Sequence, residues 1–178
     1  MSDDENTGYT TGGGHLVEEI RAFRNTFRGL RVEGRGALIR NNLIQQTGGT
    51  TVFGDGAFAM GIEVYGPGAM VLANFIQDTV AQPLGEAVGI SLSDSVFGGV
   101  VESNYISNMQ LPPSGSSWGI WVGGGSRTLL TRNRILRMNH GTGAISTTSG
   151  AYRDLLSSGC TEVLTIHSPD FTDAGNNN

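Results

Sequence analysis

Aliphatic residues fall along this chain in short runs cut by Gly, Asn and Ser, and the runs recur in a fixed order. Four segments open alike, with Gly, an aliphatic residue, a variable one and a second aliphatic: Gly29-Leu30-Arg31-Val32, Gly61-Ile62-Glu63-Val64, Gly89-Ile90-Ser91-Leu92 and Gly119-Ile120-Trp121-Val122. The openings lie 32, 28 and 30 residues apart. Each is followed 13 to 15 residues later by an Asn with an Ile two places on: Asn42 with Ile44, Asn74 with Ile76, Asn104 with Ile106, Asn133 with Ile135. Between opening and Asn comes another apolar run, such as Ala37-Leu38-Ile39, Met70-Val71-Leu72, Val100-Val101 or Leu129-Leu130. Each unit thus holds three short strands, too brief and too interrupted by Gly for helices. A period of this length marks a repeat architecture. Strands recurring in one order stack in parallel at about 4.8 Å per turn.

The fold expected is therefore all-β, a single-stranded right-handed parallel β-helix of about five to six coils. Leu30 and Val32, Ile62 and Val64, Ile90 and Leu92, and Ile120 and Val122 pile up inward as aliphatic columns. The recurrent Asn needs partners if it sits at the same inward bend of each coil, and stacked amides can supply them to one another. Its expected role is a structural ladder of Asn25, Asn42, Asn74, Asn104 and Asn133, with Asp154 in the same slot of Arg153-Asp154-Leu155-Leu156. Arg24-Asn25-Thr26-Phe27 reads as an upstream copy, and Gly143-Ala144-Ile145 as a last opening. The step from Asn25 to Asn42 is only 17 residues, a very tight coil. Either 15–24 is a partial first coil, or it is a capping helix, with Leu16, Val17, Ile20 and Phe23 at helical spacing. Residues 1–14 read as a flexible segment, 15–160 as the β-helix and 161–178 as a cap carrying Val163, Leu164 and Ile166 across the open end.

Composition agrees with a turn-rich β domain: 28 Gly, 5 Pro and 38% hydrophobic residues. All basic residues are Arg, and the net charge of -5 argues against nucleic acid. The single Cys160 forms no internal disulfide and is expected to fill the terminal coil; the three His suggest no zinc site, and no cofactor is expected. No signal-peptide pattern is present in Met1 to Gly14, and no stretch approaches a membrane span.

Gly-Ile-x-Val followed by Asn-x-Ile resembles the parallel β-helix repeat of the pectate-lyase-like superfamily, over about Asn25 to Cys160. The ending, from Tyr152-Arg153-Asp154 through Ser158-Gly159-Cys160-Thr161 to Asp173-Ala174-Gly175-Asn176-Asn177, resembles the close of uncharacterised bacterial β-helix proteins. The resemblance implies an extracellular or periplasmic setting. It carries a fold and no single activity, because lyases, glycosidases, epimerases, phage tailspikes and scaffolds share it.

Candidate chemistry falls on two sides. The long inserts Gln45 to Met60, Gln77 to Val88 and Ser107 to Trp118 protrude together and form a wall, with Asp55 and Trp118 on its rim. Beside it, outward positions of the opening strands place Arg31, Glu63, Ser91 and Trp121 in one column and Glu33, Tyr65 and Ser93 in the next. Aromatic faces cover the C–H surface of a sugar, while carboxylates and Arg take its hydroxyls or uronates. In polysaccharide lyases and glycosidases of the superfamily, this face holds the active site. Glu33 and Glu63 on neighbouring coils meet the carboxylate spacing of a glycosidase, and Arg31 is the candidate base or uronate partner of a lyase. The plainer reading of these three is a solvated charge cluster. On another side, Leu38, Met70, Val100 and Leu129, with Leu43, Phe75 and Tyr105, form outward apolar stripes unless the register is one residue off. Such a surface serves an oligomer or a neighbouring domain. Arg127, Arg132, Arg134, Arg137 and His140 read as surface decoration. A non-catalytic carbohydrate-binding module for an extracellular polysaccharide is the leading expectation. The alternatives are a lyase or glycosidase on the opening-strand face, and an assembly subunit using the apolar one.

Overall fold

A computed structural model describes residues 12–50, 52, 54–93, 96–108, 116–123 and 128–136, together with the strand backbone of 143–147, 151–153, 156–157, 164–166 and 172–173. All of its regular structure is strand, and each turn of the chain delivers three. They are β1 (Leu16–Glu18), β2 (Arg21–Phe23) and β3 (Arg28–Glu33), then β4 (Leu38–Arg40), β5 (Leu43–Gly48) and β6 (Ala59–Tyr65). Next come β7 (Met70–Leu72), β8 (Phe75–Val80) and β9 (Glu86–Leu92), then β10 (Val100–Glu102), β11 (Tyr105–Ser107) and β12 (Ser116–Val122). After β13 (Leu129–Thr131), β14 (Arg134–Leu136) and β15 (Gly143–Thr147) follow β16 (Ala151–Arg153), β17 (Leu156–Ser157), β18 (Leu164–Ile166) and β19 (Thr172–Asp173).

Every third strand pairs in parallel. Sheet A runs β1-β4-β7-β10-β13-β16-β19, sheet B β2-β5-β8-β11-β14-β17 and sheet C β3-β6-β9-β12-β15-β18. The chain is a parallel β-solenoid. Its core is the set of columns that alternation predicts: Val17, Ile39, Val71, Val101 and Leu130 from sheet A, and Ile44, Ile76, Ile106 and Ile135 from sheet B. Sheet C adds Ile62, Ile90 and Ile120 beside Val32, Val64, Leu92 and Val122. Each such burial stabilises by about 2 kcal/mol before entropy is counted.

The opening Gly has a packing cause. In strand register the pairs run Arg28 to Met60 and Leu30 to Ile62, and the Gly between each pair lies against the core. A Cβ on Gly61 would stand 2.5 Å from Ile76 Cγ2 and 2.6 Å from the Gly89 carbonyl oxygen. Gly29 and Gly89 meet Ile44 and Ile106 in the same way.

The bends repeat as faithfully as the strands. Between sheets A and B, Glu19, Asn41, Ala73, Ser103 and Arg132 each adopt φ between 51° and 56°. After the first stretch of sheet B, Arg24, Gln46, Asp78 and Asn108 do so at 56° to 59°. A left-handed residue turns the chain sharply and costs an L-residue about 1 kcal/mol, so the packing around each bend must offset that strain.

Just past the first bend of each turn stands the amide ladder. Asn42 donates from its backbone N–H (3.0 Å) and Nδ2 (2.9 Å) to Asn74 Oδ1, and Nδ2 also donates to the Val17 carbonyl (2.9 Å). Asn74 treats Asn104 and the Ile39 carbonyl alike, and Asn104 treats Asn133 and the Val71 carbonyl alike. The four side chains are buried, and burial without such partners is what makes an amide costly.

Several expectations change at the ends. Residues 15–24 form β1 and β2 rather than a capping helix. Asn25 is not a rung: Ala22 pairs with Ile44, so the ladder slot of the first turn is Ile20, whose N–H donates to Asn42 Oδ1 at 2.9 Å. The short step from Asn25 to Asn42 is therefore no coil. The segment expected to lie across the open end instead contributes β18 and β19, paired with β15 and β16. Asp154, Cys160, Arg127, Arg137 and His140 lie outside the described residues.

Removing the Asn74 side chain strands the Asn42 N–H, an Asn42 Nδ2 proton and the Ile39 carbonyl, at about 1 to 3 kcal/mol per group. Asn74→Ala should therefore lower unfolding free energy by about 3 to 5 kcal/mol in a urea titration, and Asn42→Ala, at the ladder's end, by about 2. Equal losses at the two positions would contradict a directional ladder.

Candidate functional site

The outer face of sheet C carries the charged residues that the opening strands predict. Register sets Arg31 beside Glu63, Glu63 beside Ser91 and Ser91 beside Trp121, with Glu33 beside Tyr65 in the next column. These side chains are not a solvated array. Glu33 and Glu63 are 3% and 4% exposed, and Ser91 is buried too.

Glu63 is the hub. Its carboxylate pairs with Arg28, accepts a bond from the Tyr65 hydroxyl at 3.0 Å and lies 3.7 Å from Arg31 Nε. Arg31 also pairs with Glu33, so one guanidinium spans both carboxylates, and it lies 4.9 Å from the Tyr65 ring centroid. Two cations offset two anions. Burial works against the charge on Arg31, but the Glu33 and Glu63 carboxylates outweigh it and hold the guanidinium above its ordinary range. Burial also pushes the Tyr65 phenol up, and the Glu63 charge beside it adds to the shift.

Arg28 is the member that strand alternation conceals. Three positions from Arg31 it belongs on the opposite face of a regular strand, yet the alternation breaks at Gly29, which faces Ile44 in the core, and Arg28 pairs with Glu63. Arg28 also lies over Phe27 (4.2 Å) and Phe58 (5.3 Å), whose rings are 4.2 Å apart. Phe58 comes from the insert between β5 and β6.

That insert and the next one form the wall as stacked turns: Gln82 N–H donates to the Ala57 carbonyl at 3.0 Å and Leu84 N–H to the Asp55 carbonyl at 2.7 Å. Asp55 is exposed on this wall, and no described contact ties it to the Glu63 cluster. Trp118 is not a rim residue. It falls in register with Val88 and is only 9% exposed, so its ring is packed. Tyr65 and Trp121 are half-buried.

A carboxyl pair suited to glycoside cleavage needs one member free to hold a proton and another free to attack. Here Arg28, Arg31 and Tyr65 gather on Glu63, and Arg31 also pairs with Glu33. Among the described residues no group of three or more His, Cys, Asp or Glu is placed to hold a metal ion. Past the ends of the opening strands, an open concavity of about 500 Å³ is lined by Arg35, Pro67, Phe97 and the column Gly36, Gly68 and Gly98. Phe97 and Arg35 are exposed there.

The second side is apolar. Leu16, Leu38, Met70, Val100 and Leu129 are register partners down the outer face of sheet A. Leu16 is 51% exposed, Met70 and Leu129 38% each, and Leu38 and Val100 half-buried. Leu43, Phe75 and Tyr105 form a parallel column on sheet B, where the Phe75 and Tyr105 rings stack at 4.7 Å and 5°. The register is therefore the one expected, with Ile39, Val71, Val101 and Leu130 inside.

Comparisons of the chain with protein-family models, with curated proteins and with solved structures found no match. No helix among the described residues is long and apolar enough to cross a membrane.

Replacing the hub leaves Arg28 and Arg31 sharing one carboxylate. Glu63→Gln should cost about 2 kcal/mol in denaturant unfolding, less than for a fully buried pair because both guanidinia reach solvent, and Tyr65→Phe about 1. The raised phenol sets a sign as well: its contribution is fully present below about pH 10 and is lost as pH climbs through the higher folded value. A Glu63→Gln protein as stable as wild type would show that the cluster is not neutralised as described.

Proposed function

We propose that this solenoid is a non-catalytic assembly subunit that works by packing the apolar side of sheet A against another protein surface. The observation that carries this reading is the unbroken outward column Leu16, Leu38, Met70, Val100 and Leu129, with Phe75 and Tyr105 beyond the bend. Scattered apolar residues are ordinary on a protein surface, but a continuous stripe over successive turns is the kind of patch that serves an interface. Covering one half-exposed Leu or Met contributes about 1 kcal/mol. The Arg and Tyr contacts around Glu63, with the Arg31 pair at Glu33, support this non-catalytic reading.

At low micromolar concentration the wild-type chain should be retained on a hydrophobic-interaction column and brighten an environment-sensitive apolar dye. Met70→Asp should elute earlier and bind less dye while keeping its circular dichroism spectrum. A wild-type chain that does neither ends the reading.

A second reading is binding of an extracellular polysaccharide, favoured by the open concavity where Phe97 and Pro67 offer apolar faces next to the Arg35 guanidinium. That pairing suits the C–H face and carboxylate of a uronate. The resemblance of the repeat to the pectate-lyase-like superfamily points the same way. Here Phe97→Ala and Arg35→Ala should each weaken retention on an affinity gel of acidic polysaccharide, and unchanged mobility of both would remove it.

A further inference from the structure

We propose that the partner on sheet A is a second copy of this chain, related by a two-fold axis that runs parallel to the strands above β7; this rests on the assembly reading. The argument comes from the two outward positions of each strand. Over the first five strands of sheet A the first is apolar: Leu16, Leu38, Met70, Val100 and Leu129. The second reads Glu18, Arg40, Leu72, Glu102 and Thr131. Arg132, exposed at the following bend, pairs with Glu102 at 3.3 Å, and Arg40 pairs with Glu18 at 2.7 Å.

Two such faces can meet about a two-fold axis in their common plane in two ways. An axis along the solenoid sets first positions against second ones, so that Leu38 faces Arg40 and Val100 faces Glu102, apolar against charge. An axis along the strands sets like positions together and reverses the order of turns. Centred on β7, it places Met70 on Met70, Leu72 on Leu72, Leu38 on Val100 and Leu16 on Leu129. In the second column Arg40 then faces Glu102 of the other copy, and by symmetry this happens twice. Glu18 falls opposite Thr131, beside Arg132.

Among the first five strands of sheet A, no other centre overlaps three or more of them and sets opposite charges together. Moving the axis to β4 sets Arg40 on Arg40, and moving it to β10 sets Glu102 on Glu102. An axis midway between β4 and β7 brings Glu18 onto Glu102. Midway between β7 and β10, it presses Leu72 onto Glu102. Facing sheets pack about 10 Å apart with strand directions nearly aligned, a gap that opposed Arg and Glu side chains span. The intrachain pairs are exposed surface pairs of little net value, so they leave both groups available to a partner. Five strands at about 4.8 Å give a face roughly 20 Å long, at the small end of specific interfaces, so the association is concentration dependent.

Sedimentation of the full chain up to hundreds of micromolar tests this. Wild type should shift from monomer to dimer. Arg40→Glu and Glu102→Arg should each weaken self-association at least about tenfold, because each opposes like charges twice. An equimolar mixture of the two variants should recover the dimer, since every facing pair is again opposite in sign. A mixture no heavier than its components, or single variants that dimerise like wild type, overturns the two-fold. A wild-type chain that is retained and binds dye yet stays monomeric also overturns it, while the assembly reading stands. A chain that shows neither retention nor dye binding removes both.

Discussion

In a stack of turns every inward polar group must be answered by the turn above or below, and the amide at the first bend is where that demand is sharpest. Asn74 Oδ1 takes both donors of Asn42, while Asn74 Nδ2 reaches the Ile39 carbonyl and Asn104 Oδ1. A forward slip of one residue would set Leu43, Phe75, Tyr105 or Arg134 where an amide must be met. The aliphatic columns could tolerate some exchange of size, but the amide column tolerates no change of register. Sheets A and B therefore hold their alignment over successive turns, and the outward columns inherit it. Both the apolar stripe and the charge cluster are consequences of that alignment.

The two outer faces use the alignment differently. On sheet C, register brings opposite charges together within one molecule, and the cluster closes on itself: Glu63 is answered by Arg28, Arg31 and Tyr65, and Glu33 by Arg31. On sheet A, register brings like together with like, Leu beside Leu and Met beside Val, with charges set singly along the flank. An apolar column has nothing within its own chain to cover it among the described residues.

Much of this was legible in the sequence because period and alternation act together. The opening strands align as their Gly-aliphatic-x-aliphatic pattern requires, and the rungs from Asn42 to Asn133 follow. Three things were hidden for identifiable reasons. The first turn has Ile20 at the ladder slot, where only a backbone N–H is needed, so a search for Asn settles on Asn25 by mistake. Leu16, Val17, Ile20 and Phe23 also match helical spacing, because a left-handed bend at Glu19 between two three-residue strands breaks the alternation. Arg28 is concealed because Gly29, facing Ile44 in the core, breaks the alternation within β3, which no period-two reading follows. The burial of Glu33, Glu63 and Trp118 was likewise out of reach, since alternation says which way a residue points and not what lies over it.

The ladder also has a direction. Each side-chain oxygen accepts from the preceding turn, and each Nδ2 from Asn42 to Asn104 donates once on to the next Asn and once back to a backbone carbonyl, so the column has a head and a tail that cannot be exchanged. At the head stands Ile20, which gives Asn42 its backbone hydrogen and has no side-chain amide to offer or to receive. An added turn would find there no oxygen to accept its donors. Among the described residues the column therefore starts from a backbone N–H and not from a side-chain amide.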